Sequence, residues 1–210
     1  MRSALALILA ATLAPANVPA HDGVTHPTAT EETAHQTAEP QTAPGPPLPF
    51  LIEIKPRFAL IDQNGRAVSE VDFAGRPMTI FFGYANCEAI CSVALPSLAA
   101  ALDLLGTEGE AIAPILITVD PARDTPGAMA LKLPQYHSRL IGLTGSEDAL
   151  ANARAVFQIE ASEVATTPEG APIYAHGSFV YLVGRDGAVK SVLPPILSPE
   201  RMAELMRKYL

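Results

Sequence analysis

Met78-Thr79-Ile80-Phe81-Phe82-Gly83-Tyr84-Ala85-Asn86-Cys87-Glu88-Ala89-Ile90-Cys91 opens on an apolar run and closes on the second of the chain's two cysteines. The run Met78 to Phe82, bounded by Gly83, reads as a buried strand. Beyond it Ser92 to Leu105 reads as a helix, with Val93, Leu95, Leu98, Leu102 and Leu105 on its inward face. Both thiols therefore stand where a strand hands over to a helix. A helix N-terminus presents unpaired N–H groups and a partial positive charge, which favour thiolate over thiol. Thiolate is the form that binds metal or attacks a disulfide. Cys87 and Cys91 are spaced i, i+4, about one helical turn apart, so their sulfurs can share one soft metal ion or close a short disulfide.

Outward from this stretch the chain alternates strands with helices. Toward the N-terminus, Phe58 to Ile61 and Ala67-Val68 flank Asp62-Gln63-Asn64-Gly65 and read as a hairpin around an Asn-Gly turn. Toward the C-terminus, Ile112 to Val119 is a second buried strand, followed by a short helix from Gly127 to about Tyr136 that Pro134 kinks or ends. Leu140 to Leu143 is a brief strand, and Ser146 caps a helix running to about Phe157. Ser162 to Pro172 reads as a polar loop. Ser178 to Val183 and Ala188 to Val192 form a second hairpin, and Ser198 caps a last helix whose inward stripe is Met202, Leu205, Met206 and Tyr209. This order implies an α/β fold, a mixed sheet with helices on both faces and an N-terminal β-hairpin extension.

The flanking segments bound where such a domain works. Met1-Arg2-Ser3 and the apolar run Ala4 to Ala14 have the charged and hydrophobic regions of an export signal, with cleavage expected after Ala20 and with Ala14 and Ala16 as alternatives. The apolar run is too short to span a bilayer, which takes about 20 residues. No cysteine lies near the cleavage site, which removes a lipoprotein reading. Residues 21–49 are rich in Pro, Thr and Ala, contain no Lys or Arg, and read as a disordered linker. The expected organisation is thus a signal peptide at 1–20, the linker at 21–49 and one folded domain at 50–210, free in the periplasm rather than anchored in the inner membrane. A formal net charge of −8, without any Lys/Arg cluster, excludes a nucleic-acid surface.

Export puts the cysteines in an oxidising compartment, where a structural disulfide is the plain alternative. A cross-link closing so short a loop removes little unfolded-state entropy, well below the roughly 3 kcal/mol of a 15-residue loop, so stability alone does not account for the pair. A third ligand to two thiolates would complete a three-coordinate site suited to Cu(I), or an open zinc site. His21, His26 and His35 lie in the linker and read as incidental; His137 reads as exposed decoration at a helix end. His176, in the loop Tyr174-Ala175-His176-Gly177 before the Ser178 strand, is the candidate.

Taken in order, Phe82-Gly83-Tyr84 ahead of Cys87 and Cys91, then Val119-Asp120-Pro121-Ala122-Arg123-Asp124-Thr125-Pro126, then Leu140-Ile141-Gly142-Leu143-Thr144-Gly145, then His176 before Tyr181-Leu182, resemble the Sco/SenC family. The likeness runs from about Phe58 to Leu210. It implies a thioredoxin-like fold and a copper-binding metallochaperone that assists assembly of the dinuclear copper centre of cytochrome c oxidase, with Cys87, Cys91 and His176 as copper ligands. Its partner would be a copper-accepting subunit of a cytochrome oxidase or another periplasmic copper protein. The 120–126 motif carries no metal role in the resemblance and reads as structural, with Asp124 or Thr125 capping the next helix and Arg123 in an ion pair. The chain departs from the family in Glu88 and Ser92, where proline often follows each cysteine, and in Ala175, where an acidic residue often precedes the histidine. Three other readings stay open: a thiol-disulfide oxidoreductase using Cys87 and Cys91 without metal, a peroxidase-like or redox-sensing protein, and a metal-binding module with no delivery partner. In the leading reading the protein is a carrier first, with any reductase activity secondary.

Overall fold

The computed structural model describes residues 53–85 and 91–210. The expected signal peptide, the linker with His21, His26 and His35, the domain start near Phe50, and Cys87 lie outside the described residues; of Cys91 the backbone alone is described.

The apolar run becomes β3 (Met78–Gly83), with all 6 residues buried. It lies parallel to β4 (Ala113–Thr118) on one side and antiparallel to β8 (Val180–Val183) on the other. Strands covered on both faces can be apolar throughout, which is why β3 and β4 show no alternation. Phe81 and Phe82 are fully buried, and each stabilises the fold by about 1.5–3 kcal/mol relative to exposure.

Six further strands complete two sheets around these three. β1 (Ala59–Asp62) and β2 (Ala67–Ser69) form the expected hairpin, with Gly65 at φ +78°, the left-handed conformation that glycine adopts without strain. β1 continues the sheet onto β5 (Ile141–Thr144), and β9 (Val189–Leu193) closes the other edge, so the order is β2-β1-β5-β4-β3-β8-β9. β6 (Ala161–Thr166) and β7 (Pro172–His176) pair with each other as a separate two-stranded sheet. This corrects the polar loop expected over 162–172. β6 is largely exposed and β7 mostly half-buried, so no apolar alternation marks them; a turn at Thr167 to Ala171, where Gly170 has φ +83°, closes the ladder.

Helices cover both faces of the main sheet. In α2 (Pro126–Lys132) and the 3-10 turn that follows, Met129 and Leu133 press on Gly142 of β5, where an added Cβ would come within 2.5 Å of each. Leu116 pairs with Gly142 across β4 and β5 and shares that face. Phe82 faces the opposite way, against Phe157 at the C-terminal end of α3 (Glu147–Val156), with ring centroids 5.1 Å apart. α1 (Cys91–Leu105) packs against α4 (Pro199–Arg207). Its inward residues are Ala94, Leu95, Leu98, Ala101, Leu102 and Leu105; Val93, expected among them, is 46% exposed, because two residues before Leu95 is nearly the opposite side of a helix. Caps sit where the side chains suggest: Thr125, Ser146 and Ser198 each accept a backbone N–H from the first turn of α2, α3 and α4.

Candidate metal centre

The backbone of β3 ends at Gly83, whose carbonyl accepts the amide of Val119 at 2.8 Å, and runs through Tyr84 to Ala85. Both are buried although no strand contains them. Ala85 is held on two sides: its N–H donates to Asp124 Oδ2 at 2.9 Å, and its carbonyl accepts from the Tyr136 hydroxyl at 3.3 Å. Residues 86–90 carry the chain on to Cys91, the first residue of α1.

His176 is the last residue of β7, not a loop residue as expected, and it pairs with Ala161 of β6. Its imidazole meets the ring of Phe81 edge-on at 6.2 Å and the ring of Tyr84 at 6.0 Å. The candidate ligand therefore lies against the end of the strand that leads into the cysteine segment. His176 Nδ1 is 3.1 Å from the Gly177 carbonyl, a geometry that keeps the proton on Nδ1 and the lone pair on Nε2, the atom a metal would use. Gly177 suits its place: an added Cβ would press on Ile159 at 3.2 Å.

Behind His176 the aromatic surface continues. Tyr84 and Tyr174 rings stand 5.8 Å apart, and the Arg123 guanidinium lies 5.4 Å from the Tyr84 centroid. Burial, with the carboxylates of Asp120 and Glu163 adding to it, pushes the Tyr174 phenol above its ordinary range, so it stays neutral. Arg123 pairs with Asp120 through Nε and donates from Nη2 to the Pro172 carbonyl at 2.7 Å. Asp124 is 1% exposed; Oδ2 also accepts from Thr118 Oγ1 at 2.7 Å, and burial raises its carboxyl above the usual range against these two bonds. The structural reading of the 120–126 motif holds for Thr125 as cap and Arg123 as ion-pair partner. Asp124 does something else, reaching across to Ala85.

The other histidine among the described residues is placed differently from its expectation. His137 is only 13% exposed at its side chain, with Nε2 3.5 Å from Asp103 Oδ1 of α1 and Nδ1 accepting the amide of Arg139 at 3.1 Å. Both ring nitrogens serve the fold. Among the described residues no three His, Cys, Asp or Glu side chains converge on a metal-sized gap; the expected donor set includes Cys87, outside them.

The SCO1/SenC family model matches residues 49–210. The chain belongs to the SCO1/SenC family. It is 32% identical to an SCO2-like protein of Rickettsia conorii over 158 residues, which are 74% of this chain and 77% of that one. It is equally 32% identical to the mitochondrial SCO2 homolog of Danio rerio over 155 residues, 73% of this chain but 56% of the zebrafish protein. Among solved structures, copper-bound ScoI of Bradyrhizobium japonicum superposes with a TM-score of 0.69 and 34% identity, covering 75% of this chain and 99% of that one. Copper-bound yeast Sco1 gives 0.68 and 27%, covering 75% and 88%. The SCO1/SenC fold is thioredoxin-like, as expected.

Within this SCO1/SenC chain, sequence reasoning singled out His176 but missed the contacts that place it. Arg123 to Pro172 and Asp124 to Ala85 span 49 and 39 positions, and no local pattern announces such pairs. Tyr84 and Tyr174 carried a weaker signal, one within and one two residues from the motifs that gave the resemblance; Tyr136 carried none.

Proposed function

We propose that this protein binds copper through Cys87, Cys91 and His176 and hands it to a copper-accepting subunit of a cytochrome oxidase or another periplasmic copper protein. The observation that carries the reading is the His176 imidazole, seated on Phe81 and Tyr84 at the root of the cysteine segment with its Nε2 lone pair set by the Gly177 carbonyl. The copper-bound state of the Bradyrhizobium japonicum and yeast relatives supplies the metal. Two thiolates favour a soft ion, Cu(I) before Zn²⁺, and an imidazole completes a three-donor set open on one side. A ligand of the acceptor entering that side can displace the donors one at a time. Because thiolate is required, copper loading and the redox state of the cysteine pair are coupled.

Copper is cargo in this account, so the compartment follows from the delivery. The segment 1–20 acts as an export signal and the mature chain begins at His21, which intact-mass measurement of the exported protein checks. Copper stoichiometry of the reduced mature protein, measured without oxygen, tests the function itself. One Cu(I) per chain is expected, abolished by Cys87→Ser with Cys91→Ser and weakened about 10–100-fold by His176→Ala. Unchanged binding in His176→Ala removes the imidazole from the site. A reduced wild type that holds no copper yet exchanges disulfides with a substrate replaces the carrier with a thiol-disulfide oxidoreductase.

A further inference from the structure

We propose that Arg123 and Asp124 are positioning residues, a two-armed bracket that sets the gap between the cysteine segment and His176; the proposal rests on the copper reading above. The two residues are adjacent on the turn between β4 and α2, and they reach in different directions. Asp124 holds the amide of Ala85, the last described residue before 86–90. Arg123 holds the Pro172 carbonyl at the start of β7 and lies over Tyr84, whose ring supports His176.

Neither arm caps the helix that follows. Thr125, not Asp124, caps α2. Asp124 is nevertheless buried, and its Oδ1 has no hydrogen-bond partner among the described residues. A carboxyl in that condition costs stability and stands where its reach is used. Its reach is Ala85, which Tyr136 ties from the opposite side. The arm through Arg123 answers a different need. β6 and β7 make no ladder with the seven-stranded sheet, so no sheet register fixes His176 relative to β3. An isolated two-stranded ribbon is marginal by itself, and lateral contacts have to hold it. Arg123, anchored by Asp120, supplies a hydrogen bond to it and a ring contact to Tyr84, which itself packs on Tyr174 and His176 of β7. The short backbone between the two side chains is then the baseline against which the thiol and imidazole donors are spaced.

The test uses the mature full chain, reduced, with Cu(I) affinity read by competition with a chromophoric chelator and the Cu(II) form read by its thiolate charge-transfer band. Arg123→Ala should weaken binding about tenfold in the wild-type background and have no further effect in His176→Ala, because it acts through the imidazole. Asp124→Ala should shift the charge-transfer band and lower affinity by a similar factor, and Asp124→Asn, which keeps an acceptor for Ala85, should restore both. If Asp124→Ala does not fold, Asp124→Leu keeps the branched shape without an acceptor and takes its place. Alkylation of Cys87 and Cys91 by iodoacetamide in the metal-free protein gives a readout independent of copper, expected to change at least threefold when the Asp124 acceptor is lost. Folded variants that match wild type in affinity, band and alkylation overturn the bracket and leave the copper reading standing. An Arg123→Ala loss of equal size with and without His176 also overturns it. If wild type binds no copper, the copper reading fails, and the alkylation rates alone decide: changed rates support the bracket, unchanged rates overturn it.

Discussion

Asp62 closes the first hairpin by accepting five bonds from two neighbours: the backbone amides of Asn64 and Arg66, Nδ2 of Asn64, and Nε and Nη2 of Arg66. Burial alone would raise its carboxyl, but the bonds from Arg66 and Asn64 prevail and hold it below the usual carboxylate range. A group depressed in the folded state contributes stability above its unfolded pKa and loses it as pH falls through the folded one. Unfolding measured across the acid range should therefore show wild type losing stability below about pH 4, with Asp62→Asn less stable at neutral pH and flatter in acid. Equal slopes for the two proteins would sink this assignment. Gly142 makes the opposite kind of point, about room rather than charge. Gly142→Ala should cost about 1–3 kcal/mol by denaturant melt, since its methyl meets the buried ends of Leu133 and Met129.

At the level of elements, the caps and the buried strands could be read directly from residue order, because each depends on neighbours a few positions away. Ser146 before Glu147 and Asp148, and Ser198 before Pro199, are signals of that kind. Ser146→Ala should cost about 1 kcal/mol, checked by thermal or chemical unfolding. The β6–β7 ribbon gave no such signal. Its strands show no apolar alternation, a bulge between Glu163 and Ala165 breaks the register, and its fastening comes from Arg123 and Tyr84, both distant in the chain. His176 as candidate could be reached by resemblance, but its seat on Phe81 depends on that ribbon and could not. Hydrogen exchange should show the hierarchy. Amides of β3 and β4, buried throughout, should exchange slowest and those of β6 and β7 faster; protection of the ribbon equal to that of β3 would contradict a laterally held element.

For the molecule as a whole, a metal bound only by the folded state stabilises it by mass action, about 2.7 kcal/mol at 100 times Kd. Cu(I) added to the reduced mature protein should raise Tm in wild type and leave the Cys87→Ser, Cys91→Ser variant unmoved, a difference scanning calorimetry reads directly. The same whole-chain view brings out what it means for β3 to be paired with β8. Met78 lies against Val183, so the strand that leads to the thiols is sealed by one made near the end of synthesis, and His176 is made just before that strand. Polypeptides grow at about 5–20 residues per second, which separates the birth of Cys91 from that of His176 by an interval on the order of ten seconds. For that time a nascent chain carries a dithiol without His176 to share its metal. Whatever guards those sulfurs from oxidant and from stray ions in the interval has to come from outside the chain.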